Sequence, residues 1–131
     1  MKKFALKTLA ILFITASLTS CSNDDGGETI MLKTSFINSV EGPATGGIDQ
    51  DITLTTTFTA ENSCGALNKF VETTSSNTKT IYAQVKYVGE CGSSPVTITA
   101  PYTFRVNRAG TYTFKFRKNE SQFITHSVIV E

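Results

Sequence analysis

His126 is the only histidine in the 131-residue chain, so it is the one side chain whose ordinary pKa suits proton transfer near neutral pH. A hydrolytic centre needs a nucleophile, a base and a group that orients the base. No serine or cysteine sits in a nucleophile-elbow pattern around this histidine. Read as part of a strand, His126 shares one face with Ile124, Val128 and Val130, which is the setting of a sheet-face histidine. The run Gly42 to Gly47 is rich in glycine, yet no Lys-Ser or Lys-Thr follows it, so it reads as a loop and not a phosphate cradle. Asp49 and Asp51 would offer oxygens to a calcium ion, but two carboxylates fall short of the six to eight ligands it takes. The expectation is a protein without catalytic residues, metal or cofactor.

Stacking chemistry is the remaining option. Tyr82, Tyr87, Tyr102 and Tyr112 cannot all be interior, and a flat tyrosine surface suits the faces of sugar rings. Tyr82, Tyr87 and Tyr102 are the candidate glycan contacts. The threonines at 53, 55, 57 and 59 would add a row of hydroxyls on one side of their strand.

These residues need elements to hold them, and the elements are strands. Ile52, Leu54, Thr56, Phe58 and Ala60 alternate with those threonines, a period of two built from β-branched residues. Ile81-Ala83-Val85-Tyr87 alternates with Tyr82-Gln84-Lys86-Val88 in the same way. Tyr112-Phe114-Phe116 against Thr113-Lys115-Arg117 gives a third strand, and Phe123 to Val130 a fourth with both faces rather apolar. Weaker runs span 30–40, 69–74 and 97–106, the last carrying Pro101, which implies a sheet edge or a strand start. Gly-, Ser- and Asn-rich turns separate them. About seven short strands with turn chemistry between them predict an all-β, antiparallel sandwich over residues 30–131. Asn62 to Leu67 is too long for a tight hairpin and is expected to pass between the sheets.

The chain starts with Lys2, Lys3 and Lys7, an apolar run from Leu9 to Ile14, and small residues up to Ser20. That is the pattern of an export signal, and its apolar part is shorter than the ~20 residues a bilayer core requires. Leu18-Thr19-Ser20-Cys21 resembles the lipobox of bacterial lipoproteins. The resemblance implies a signal peptide over 1–20, an acylated Cys21 at the new amino terminus, and attachment to a membrane through acyl chains such as palmitate. An ordinary secretory cleavage is the alternative. Residues 21–29 are small and acidic, the composition of a flexible tether. Cys21-Ser22-Asn23-Asp24-Asp25 also resembles the acidic export signal of Bacteroidota-type surface lipoproteins, which implies the outer membrane and the cell surface. A plain solvated spacer reads the same residues equally well. Asn119-Glu120-Ser121 matches a glycosylation acceptor that such an envelope does not normally use.

With Cys21 acylated, Cys64 and Cys91 remain in an oxidising compartment and are expected to form a disulfide; a reactive or metal-binding thiol pair is the alternative. Loss of Lys2, Lys3 and Lys7 leaves nine basic against eleven acidic residues, a formal charge of −2. No basic cluster is visible along the chain, which argues against nucleic acid and against electrostatic attraction to anionic headgroups. Ala109-Gly110-Thr111-Tyr112-Thr113-Phe114 resembles the entry to the penultimate strand of immunoglobulin-like domains, where a tyrosine follows a turn glycine by two. The resemblance implies an immunoglobulin-like sandwich in which Gly110 and Tyr112 specify a corner, although no tryptophan is present. The expected function is a lipid-anchored binding or structural module of the envelope or cell surface, engaging a protein or glycan. The alternative is a non-catalytic accessory subunit of an envelope glycan-uptake or enzyme system.

Overall fold

The computed structural model describes residues 27–131, so the expected signal peptide over 1–20, Cys21 and most of the expected tether lie outside the described residues. The described chain is all-β. Nine strands follow in order: β1 (Ile30–Ser35), β2 (Ile37–Glu41), β3 (Thr45–Gly46), β4 (Ile52–Ala60), β5 (Gly65–Ser75), β6 (Thr78–Val88), β7 (Val96–Phe104), β8 (Gly110–Arg117) and β9 (Phe123–Val130). They form two sheets packed face to face. One holds β2, β4 and β7 in that order; the other runs β6, β8, β9, β3, with β1 also on β6. β5 pairs along nearly all of β6, so β8 and then β1 share the opposite edge of β6.

The sandwich expected from the alternation is present, with two strands more than the seven anticipated. The 30–40 run is two strands, not one. It switches sheets at Phe36: β1 pairs with β6, while β2 pairs with β4. Ser35 fixes the crossing, its hydroxyl donating to the Thr59 carbonyl of the other sheet at 2.8 Å. Five of the seven strand pairings are antiparallel, and two, β3–β9 and β6–β8, are parallel. The parallel β6–β8 pair follows from β5 taking the outer position first, so that its hairpin partner β6 returns beside β8. Pro101 lies within β7, an edge strand of the smaller sheet, opposite Thr55 of β4.

Alternation decides the core. Ile52, Leu54, Thr56, Phe58 and Ala60 all point inward from β4 and are buried. Across from them stand Ile81, Ala83 and Val85 of β6, Phe114 and Phe116 of β8, and Val128 and Val130 of β9. Each large apolar side chain buried in this way contributes roughly 1.5–3 kcal/mol. Thr56 is the one wholly buried hydroxyl, and it donates to the Ala100 carbonyl of β7 at 2.9 Å. Buried polar atoms cost stability unless paired, and none among the described residues lacks a partner.

Candidate functional site

Residues 61–64 carry the chain from β4 in one sheet to β5 in the other; the crossing expected over Asn62 to Leu67 is present but shorter, with Gly65 to Leu67 already in β5. Cys91 lies where the chain leaves β6 to return to β7. The two cysteines come together with their Cα atoms 5.5 Å apart, inside the range a disulfide spans. The pair therefore joins two inter-sheet crossings at one end of the sandwich. Gly65 follows directly, and only glycine fits there: an added Cβ would stand 2.6 Å from Cβ of Ala60 and 2.8 Å from the Tyr87 ring.

Tyr87 belongs to this end and not to an outer surface. It is 7% exposed, and its hydroxyl accepts the Glu61 backbone N–H at 2.8 Å. Lys33 pairs with Glu61 at 2.5 Å and lies over the Tyr87 ring. A small cavity of about 110 Å³ between Met31, Lys33, Glu61 and Tyr87 opens there.

Tyr102 is likewise interior, 2% exposed, with its ring set edge-on to Phe70, Phe114 and Phe116 at 5.4–5.9 Å between centroids. Its hydroxyl donates to Glu72 at 2.5 Å, and Lys79 donates to the other carboxylate oxygen at 3.0 Å. Partial burial pushes the Glu72 carboxyl up, but the two donors and the lysine charge together hold it below the ordinary value. Burial, with the carboxylate beside it, pushes the Tyr102 hydroxyl far up. Tyr87 and Tyr102 thus present no ring face to a sugar, which corrects the expectation for both. The alternation carried this signal: Tyr87 is in phase with Ile81 and Val85, and Tyr102 with Ala100 and Phe104. Tyr82 alone of the three stands on an outer face.

Gly110 and Tyr112 form the corner that their resemblance implied. Gly110 has φ +152°, which disfavours any side chain, and the Tyr112 hydroxyl donates to the Arg108 carbonyl at 2.9 Å. Beside them, Arg105 binds Asp51 at 2.9 Å, and that bond and charge lower the Asp51 carboxyl. Asp51 is thereby committed to a cation of the protein itself. Among the described residues no group of three or more His, Cys, Asp or Glu side chains converges as a metal site would require. His126 points inward from β9, half-buried, and its Nε2–H donates to the Pro43 carbonyl at 3.0 Å.

The two outer faces differ in chemistry. On the smaller sheet, Thr53, Thr55, Thr57 and Thr59 stand beside Thr103, Pro101, Thr99 and Thr97 of β7. Ser39 and Asn38 extend the row, bonding to Thr57 and Thr59, and Thr53 bonds to Thr103 at 2.9 Å. The result is a solvent-facing plane of hydroxyls and methyls in which Glu41 is the one charged strand residue. The larger sheet turns Lys69, Lys86, Lys115 and Arg117 outward. These cations are far apart in the chain but share one face of the sheet, spread along it with Lys69 level with Gln84 and Lys115 level with Thr80 of β6. No family model, curated protein or solved structure matches the chain.

Proposed function

We propose that the protein is a lipid-anchored, non-catalytic binding module of a bacterial envelope, displayed from an outer membrane and engaging a protein or glycan. The observation that carries the binding role is the plane of threonine hydroxyls on β4 and β7. Each hydroxyl has one donor and two acceptor positions, and the cross-strand bonds use only part of that capacity. The remainder faces solvent from a rigid sheet, so its partners are ordered before a ligand arrives, which lowers the entropy cost of binding. A hydroxyl-rich glycan or an extended peptide presents the complementary groups. The anchor reading rests on the Leu18 to Cys21 pattern and gives the module its place of work.

The test is binding of envelope polysaccharide and protein fractions to the mature protein and to a Thr55→Lys/Thr57→Lys/Thr99→Lys variant. Partner retention by the native protein and its loss in the variant is the expected result. A partner held equally by both would move the binding role off this face.

A further inference from the structure

Nine cations lie among the described residues, and three of them are matched by acids: Lys33 with Glu61, Lys79 with Glu72, Arg105 with Asp51. Four of the remaining six project from the outer face of the larger sheet. Lys69 stands opposite Gln84, Lys86 between Leu32 and Ala66, Lys115 beside Thr80, and Arg117 opposite Phe123. Glu72 is the one acid in the strands of this sheet, and it points the other way, into the bond with Tyr102. Glu28, Glu90 and Glu120 lie in the segments bounding the face, outside its strands.

The apolar residues of the same face are as informative. Ile30 and Leu32, opposite Val88 and Lys86, are 59% and 52% exposed. Phe123 is 40% exposed, with the Lys115 and Arg117 head groups 5.9 and 5.8 Å from its ring centre. Aliphatic and aromatic side chains set among cations are what an interfacial surface offers to a bilayer: hydrocarbon for the acyl boundary, positive charge for the phosphates.

We propose that this outer face docks on a lipid surface bearing anionic phosphate headgroups, so that the sandwich lies flat with its threonine plane turned away from the membrane. The orientation rests on the anchor reading above; the headgroup contact does not. The chain enters the domain at Ile30, on this sheet, nine residues after Cys21. Nine extended residues reach ~30 Å at most, so an acylated Cys21 would hold β1 within one domain width of the bilayer. At that range contacts too weak to recruit a free protein still fix an orientation. Exposed Ile30 and Leu32 favour lipid over an anionic polysaccharide, which has no hydrocarbon to receive them.

The test uses the mature chain, residues 21–131, carrying Cys21→Ala, so that no acyl chain contributes. Co-sedimentation is measured with phosphatidylcholine vesicles and with vesicles that also contain phosphatidylglycerol. Binding to the second alone is expected, weakening as salt rises. Lys86→Gln/Lys115→Gln/Arg117→Gln should lower it by about fivefold per cation removed, and Leu32→Asp should lower it independently. Thr57→Glu/Thr99→Glu, on the opposite face, should leave it unchanged. A melting curve for each variant separates lost binding from lost folding. No binding to either vesicle, equal loss in the opposite-face variant, or tighter binding to an anionic polysaccharide than to the charged vesicles would overturn the proposal. Failure of the anchor reading is seen separately, as native protein without an acylated Cys21.

Discussion

The Tyr112 hydroxyl donates to the carbonyl of Arg108, four residues earlier in the chain, across the turn that leads from Val106 into β8. The bond closes the corner at which the chain joins β8, and Gly110 supplies the backbone angle the closure needs. Replacing Tyr112 by phenylalanine keeps the ring and removes the bond. The carbonyl is exposed, so water takes the vacated place and the expected loss is about 0.5–1 kcal/mol. Tyr82→Phe, on the outer face of β6 and with no corner to hold, should cost less. Urea melts of the two variants decide the matter; an equal or smaller loss at Tyr112 would show that the bond does not hold the corner.

The Cys64–Cys91 pair makes a larger claim on stability. The two residues are 27 apart in sequence, and closing such a loop in the unfolded chain is worth about 3.5 kcal/mol by chain entropy. Cys64→Ala/Cys91→Ala, or reduction of the native protein, should lower stability by roughly that amount while leaving the strands in place. Mass measurement of the unreduced protein should show no alkylatable thiol at either position.

How far the chain could be read depended on whether one strand sufficed. β4, β6 and β8 each declare their inward residues by strict alternation, so their burial was legible; β9, apolar on both faces with Phe123 and Ile129 turned outward, was legible as a strand but not in which side it buries. β5 was legible only in part, because a register shift between Leu67 and Lys69 puts Leu67 and Phe70 on the same side despite their odd spacing. The switch of sheets at Phe36 was hidden for another reason: Ile30 to Val40 shows no regular alternation that a break could interrupt, and a register shift follows between Ile37 and Ser39. The cationic face was invisible because it needs three strands in register. Lys69, Lys86 and Lys115 come to one face only when β5, β6 and β8 pair, and no local pattern specifies that β8 runs parallel to β6. The tyrosine corner, confined to a few residues around one turn, was legible in full.

Acylation of Cys21 has its own measurement. Protein isolated from the envelope should begin at residue 21, with a mass increment of fatty acyl chains on that residue. An alkyne-labelled palmitate fed to cells should enter the native protein and not a Cys21→Ala variant. Label in both would place the lipid elsewhere, and an unmodified amino terminus at another residue would make this an ordinary secreted protein.

Glu72 predicts how stability varies with acid. Its carboxylate receives the Tyr102 hydroxyl at 2.5 Å and the Lys79 ammonium at 3.0 Å, and both favour the ionised form. Its folded pKa is therefore lowered from an ordinary value near 4.5. A carboxyl with a depressed folded pKa contributes stability that is present above its unfolded pKa and lost as pH falls through the folded one. Native stability should thus decline as pH drops below about 4.5, and Glu72→Gln should flatten that decline while costing on the order of 1 kcal/mol at pH 7. Asp51, lowered by Arg105, acts in the same direction but is fully exposed. Salt separates the two, since it screens exposed pairs more than partly buried ones. In high salt the share from Asp51 should fade and that from Glu72 persist. Urea midpoints at pH 3.5 and 7 in low and high salt test this: the same acid dependence in Glu72→Gln as in the native protein would remove Glu72 as its source.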